Sequence, residues 1–137
     1  MWNCYSLLHI AANTASSTNV PSSYTGLSFS QQIEAFFEAD VIVGPHGAGF
    51  TNMLWAADGA HVILFPMSPL SDRCYLRLPV ALGFTVQLID SYSAYYYGNF
   101  DPVSPAVEAE IVAAVQQATL AAAARRHSAP SAAHGEL

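Results

Sequence analysis

Val41-Ile42-Val43 runs directly into Gly44-Pro45-His46-Gly47-Ala48-Gly49, and this junction constrains the fold more than any other stretch of the chain. Three consecutive β-branched residues without an alternating polar partner read as a short strand buried on both faces. The glycines that follow call for a tight turn. Phe50 onward reads as a short helix, stopped by Asp58-Gly59. Strand, glycine-rich turn and helix in that order form one βα step of a parallel sheet.

The flanking segments repeat the alternation. Ser28-Phe29-Ser30-Gln31 fits a capping box, in which the Ser hydroxyl caps the third helical amide and the Gln side chain reaches back. Behind it Phe29, Ile33, Phe36 and Phe37 recur at helical spacing, opposite Gln31, Gln32, Glu34 and Glu38, so a helix is expected to end near Ala39-Asp40. His61-Val62-Ile63-Leu64-Phe65 is a second buried-type strand. Ser71 or Asp72 caps a helix through Leu82, with Gly83 as its stop, and residues 84–89 form a third strand. Ser104-Pro105 starts a last helix, because proline at the first helical position gives up an amide that has no partner there. That helix runs to about Ala124.

The expected fold is therefore α/β, a Rossmann-like parallel sheet flanked by helices and joined by right-handed crossovers. The domain occupies residues 27–124. Ser6-Leu7-Leu8-His9-Ile10 reads as a short strand, residues 11–26 as a loop, and residues 1–26 together as an incomplete N-terminal segment. Residues 125–137 are small, polar and Ala/Ser/Pro-biased, and read as a disordered tail.

Composition narrows the function. Lys and Arg total 4 against 10 acidic residues. Arg73, Arg77, Arg125 and Arg126 cannot build the run of phosphate contacts that a double helix needs, which excludes nucleic acid as the partner. Charged residues are 10% of the chain, against roughly 25% in an average soluble domain, so part of the surface is expected to be covered. Cys4 and Cys74 stand far apart with no zinc-type spacing, and their redox state stays open. No run of about 18 or more apolar residues suggests a membrane span, and residues 1–10 lack the basic start of a signal peptide.

The chemistry lies at the turn. Ligands of open parallel sheets sit beyond the carboxyl ends of the strands, where residues 44–49 fall. Glycines let the backbone approach a guest, and the first amides of the next helix lack intrahelical partners and favour an anion. His46 adds a ring donor; Thr51 and Asn52 add side-chain donors. A phosphate or diphosphate is the natural guest. The pattern is neither GxGxxG nor a P-loop. The alternative is a turn that is merely tight. His46-Gly47-Ala48-Gly49 also has the look of a hydrolase oxyanion segment, but the chain has no GxSxG nucleophile elbow. Glu34, Glu38 and Asp40 precede the strand, at its wrong end for a general base.

On these residues the sequence resembles the C-terminal part of the family 61 glycosyltransferases, a group of plant arabinosyl- and xylosyltransferases and animal O-linked N-acetylglucosamine transferases. The run Leu27-Ser28-Phe29-Ser30-Gln31-Gln32-Ile33, then Ala39-Asp40 through Met53-Leu54, carries the likeness, and Gly59, Val62, Pro66 and Tyr75 continue it. The resemblance implies the C-terminal, donor half of a GT-B-like enzyme of the Golgi or endoplasmic reticulum lumen. Such an enzyme is a hexosyl- or pentosyltransferase that moves a sugar from a nucleotide sugar to a glycan or protein hydroxyl with inversion. His46, Gly47, Ala48, Gly49, Thr51 and Asn52 would lie at the donor diphosphate, while Gln32 would brace the turn from the preceding helix. An N-terminal half would supply acceptor contacts and the general base, which makes this chain a fragment on that reading. No cofactor is implied besides the donor, and the absence of a DxD motif leaves the leaving group to amides and His46 rather than a metal, with Arg73 or Arg77 as further cations. Family members often carry Glu where this chain has Leu64, and Glu where it has Gln31. The competing readings are a non-catalytic nucleotide-sugar or phosphate-binding module and a structural interaction domain.

Overall fold

The computed structural model describes residues 10–12, 26–45, 47–66, 74–91 and 104–128. Along the chain these form β1 (Ile10–Ala12), α1 (Phe29–Phe37), β2 (Val41–Pro45), a 3-10 helix (Ala48–Trp55), β3 (His61–Phe65), α2 (Cys74–Ala81), β4 (Thr85–Leu88) and α3 (Pro105–Ser128). The sheet order is β1-β2-β3-β4. β2, β3 and β4 are parallel, in a register that sets Val41 beside His61 and His61 beside Thr85.

β1 departs from expectation. It pairs antiparallel to β2, Ile10 opposite Val43 and Ala12 opposite Val41, so the sheet is not wholly parallel. Its residues fall where a strand ending at Ile10 and then a loop were expected. Ile10-Ala11-Ala12 carries no period of its own; it is a strand because β2 offers a free edge. The rest of the expected strand, residues 6–9, lies outside the described residues, as do residues 92–103 and 129–137.

Alternation along the strands divides the core into two layers. Ile42, Val62 and Leu64 face one side with Phe36, Phe50, Met53 and Phe84, packed under α1, the 3-10 helix and α2. Val41, Val43 and Ile63 face the other side with Ile89, Ala114 and Ala118 of α3. Each of Val41, Ile42, Val62, Ile63 and Leu64 is buried, which is why β2 and β3 read as unbroken apolar runs. β4 is different: Val86 is half-buried and its neighbours are exposed, while the flanking Phe84 and Ile89 carry the burial.

Local signals explain the helices. In α1, Ser28 Oγ accepts from the Gln31 amide at 3.3 Å, and Gln31 Oε1 accepts from the Ser28 amide at 2.8 Å, completing the capping box. The helix stops at Phe37, short of Ala39-Asp40, and only Phe36 is fully buried; Phe29 and Phe37 are each 65% exposed. Gly83 ends α2 at φ +75, where its amide bonds the Val80 carbonyl. Ser104 Oγ caps α3 at the Val107 amide. α3 buries Ala114, Ala118 and Ala122, one residue per turn on one face, so the backbone lies close to the sheet. It runs four residues past the expected end at Ala124, through residues 125–128, and Arg125 and Arg126 are therefore helical rather than tail.

Candidate functional site

β2 delivers the turn to the carboxyl end of the sheet, where Gly44 pairs with Leu64 and Pro45 with Phe65. His46, the ring donor expected there, lies outside the described residues. Gly47 is extended, at φ 178, and among the described residues the glycines with left-handed backbone are Gly26, Gly59 and Gly83. The turn therefore does not use a left-handed glycine at Gly47.

The short helix expected after the turn is a 3-10 helix, and it begins at Ala48, two residues before Phe50. Its repeat of three explains the arrangement. Phe50 and Met53, both fully buried, form the inward edge with half-buried Ala56. Ala48 and Thr51 share a second, exposed edge. Gly49 and Asn52 share the third and are half-buried. The Phe50 amide donates to the Gly47 carbonyl at 3.0 Å and closes the first turn. The amides that precede it, of Ala48 and Gly49, come before the ladder begins.

Asn52 is directed toward α1. Its Nδ2 donates to Gln32 Oε1 at 3.3 Å, and Gln32 Nε2 donates to the Leu27 carbonyl at 3.1 Å. Gln32 thus holds the 3-10 helix against α1. One Asn52 donor is spent on this bond, and the amide keeps a second N–H and its oxygen. Among the residues expected at the anion, Gly47, Ala48, Gly49 and Thr51 lie on the turn side and Asn52 lies at the α1 seam. Leu64 is 1% exposed and packs in the core, so it presents nothing at the strand ends.

Sequence reasoning missed the carboxylates that the fold brings to this end. Asp90 follows β4, and Glu110 of α3 accepts a hydrogen bond from Ser91 Oγ. β4 is two strands from β2, about 10 Å at ordinary strand spacing. Arg77 is exposed on α2, and Arg73 lies outside the described residues. Among the described residues no three His, Cys, Asp or Glu side chains gather as a metal site. No helix there is long and apolar enough to cross a membrane.

The opposite, amino end of the sheet holds a polar cluster that was also missed. Asp40 precedes β2 and His61 opens β3. Arg126 Nε donates to Asp40 Oδ1 at 3.1 Å, and its Nη2 completes the ion pair. Arg125 Nη1 lies 2.6 Å from His61 Nε2. Burial, and then the Arg125 charge, hold the His61 pKa below the ordinary value. A cavity of about 420 Å³ opens here, walled by Ala39, Ala57, Ala60 and Ala122 and edged by Asp40, Asp58, Arg125 and Arg126.

Residues 10–63 match the family model described as Glycosyltransferase 61. Over 56 residues the chain is 39% identical to the EGF domain-specific O-linked N-acetylglucosamine transferase of Gallus gallus. That stretch covers 40% of this chain and 10% of that protein, so the chain spans a small part of the relative it matches. No solved structure matches. The matched segment takes in β1, α1, β2, the turn, the 3-10 helix and the first residues of β3.

Proposed function

We propose, on the premise that residues 10–63 are a family 61 glycosyltransferase segment, that this chain is the donor-binding part of a glycosyltransferase. The supporting observation is where the turn falls. The family segment places a glycine-rich turn and the open start of a 3-10 helix at the carboxyl ends of parallel strands, where an α/β sheet receives its ligand.

The reading assigns the diphosphate of a nucleotide sugar to the backbone of Gly47, Ala48 and Gly49, with Thr51 on the exposed edge and His46 and Asn52 as flanking donors. An acceptor hydroxyl of a glycan or protein attacks the anomeric carbon, the bond to the diphosphate breaks, and the configuration inverts. Negative charge gathers on the departing diphosphate, and positioned amides stabilise it most where water is excluded. On this reading an N-terminal half of a GT-B-like enzyme of the secretory pathway supplies the general base. No metal is assigned to the step.

A second reading is a module that binds the donor without turnover: Glu34, Glu38 and Asp40 precede β2, at the end of the strand away from the turn, and none of them serves as a base there. Leu64, apolar and buried where family members often carry Glu, offers no carboxylate to a ribose and lowers the donor affinity expected on either reading. Calorimetry with UDP, GDP and inorganic phosphate tests the site, and donor-dependent transfer by the chain separates the two readings. Binding of a nucleoside diphosphate that is lost in a His46→Ala, Asn52→Ala double variant supports the diphosphate site. Failure of all three ligands to bind at about millimolar concentration, the weak end of specific recognition, overturns it.

A further inference from the structure

The amino end of the sheet lies away from the turn, and the proposed function uses none of its polar groups. α3 reaches this end with its last turn. Ala122 is the final residue that the helix buries, so residues 123–128 have little apolar contact to hold them. Two polar links replace it: Arg126 to Asp40, and Arg125 to His61. The links differ in kind. Arg126 meets a carboxylate. Arg125 meets a ring nitrogen, and a guanidinium has only donors, so Nε2 must offer its lone pair. The contact therefore requires neutral His61 with its proton on Nδ1.

We propose that the Arg125–His61 contact is an acid-released latch, which holds the last turn of α3 to the sheet while His61 is neutral and frees it when His61 takes up a proton. Protonation turns the acceptor into a donor and places two cations in contact. The surroundings do not compensate. Asp40 is engaged by Arg126, and Asp58, on the turn before β3, is exposed at the cavity edge. β4, the strand beside His61, carries no charged residue. The negative end of the α3 dipole already has Arg125, Arg126 and His127 in its last turn. Burial and the Arg125 charge place the release below the ordinary histidine range. The cavity beneath the latch gives water an entry as the turn lifts.

Hydrogen exchange of the full chain across pH, corrected for intrinsic rates, tests the latch. In the wild type, protection of the amides of residues 122–128 is expected to fall as pH drops below about 6.5. The fall is at most about tenfold per pH unit, the limit for one proton. Amides at Val62 to Leu64 stay the better protected throughout, because they open only with the whole sheet. His61→Gln retains an oxygen acceptor and cannot charge, so its α3 protection is expected to be flat over the same window. Equal pH profiles in the two proteins overturn the proposal. If H61Q does not fold, the His61 ring of the wild type is followed by NMR. Loss of α3 protection with the ring's own midpoint supports the latch. A midpoint near pH 4, where carboxylates titrate, or an Nε2–H ring at neutral pH, overturns it.

Discussion

At the scale of single residues, a few side chains carry clear tasks. Ser28 satisfies one of the open amides of α1, and Gln31 returns the bond. Ser28→Ala is expected to cost about 1 kcal/mol in urea unfolding, the ordinary worth of an N-cap. Gly83 stops α2 at φ +75 with no atom within 4 Å of an added Cβ. Gly83→Ala therefore loses stability only through backbone conformation, about 1–2 kcal/mol, with no repacking visible by NMR around it. Gln32 and Asn52 join α1 to the 3-10 helix. Gln32→Ala is expected to weaken nucleoside diphosphate binding more than it lowers stability, since it loosens the mount of the turn without touching the core. Equal affinity in that variant would detach Gln32 from the site. Local tasks such as the Ser28 cap were readable in the sequence because both partners lie within one turn. The Asp40–Arg126 pair was not, because its partners stand 86 positions apart and only the fold joins them.

At the scale of elements, burial on both faces fixes the centre of the sheet. Ile63 sits between α3 and the middle of β2 and β4, and Ile42 lies under the opposite layer. Replacing either with Ala is expected to cost about 2–5 kcal/mol, read from the shift in denaturation midpoint. Ala118 is the converse case. It lets α3 approach the sheet, and Ala118→Leu is expected to cost about 1–3 kcal/mol by overpacking. β2, β3 and the start of α3 were legible because apolar runs and capping residues mark them. β1 was not, since Ile10-Ala11-Ala12 becomes a strand only through its neighbour. The exposed sides of Phe29 and Phe37 were also hidden, because helical spacing tells which residues share a face and not whether anything covers it. Nor does a propensity scale distinguish a 3-10 helix from an α-helix. The eight residues Ala48–Trp55 span about 16 Å as a 3-10 helix and would span about 12 Å as an α-helix. Phe50 and Met53, three apart, share one buried edge of the 3-10 helix.

At the scale of the whole molecule, two poles are distinct in chemistry. The carboxyl end carries the glycine-rich turn proposed as the donor site, and the amino end carries Asp40, His61 and the two arginines. The sequence made the first legible through its glycines. It concealed the second because Arg125 and Arg126 precede a run of Ser, Ala and Pro that reads as tail. Global stability follows from the second pole. The folded pKa of His61 lies below its unfolded value, so unfolding takes up a proton at mildly acid pH. The His61 contribution is full above about pH 6.5 and is lost as pH falls through the folded value. Urea midpoints measured across that range are expected to decline in the wild type and to decline less in H61Q. α3 connects the poles: 24 residues make a rod of about 36 Å. Near one end Glu110 meets Ser91, and near the other Arg125 and Arg126 meet the sheet. Pinned at both ends, the rod moves with the sheet as one body. With the His61 pin drawn only the overhang past Ala122 is left to sway, because Ala114, Ala118 and Ala122 still clamp the rest of the rod to the sheet.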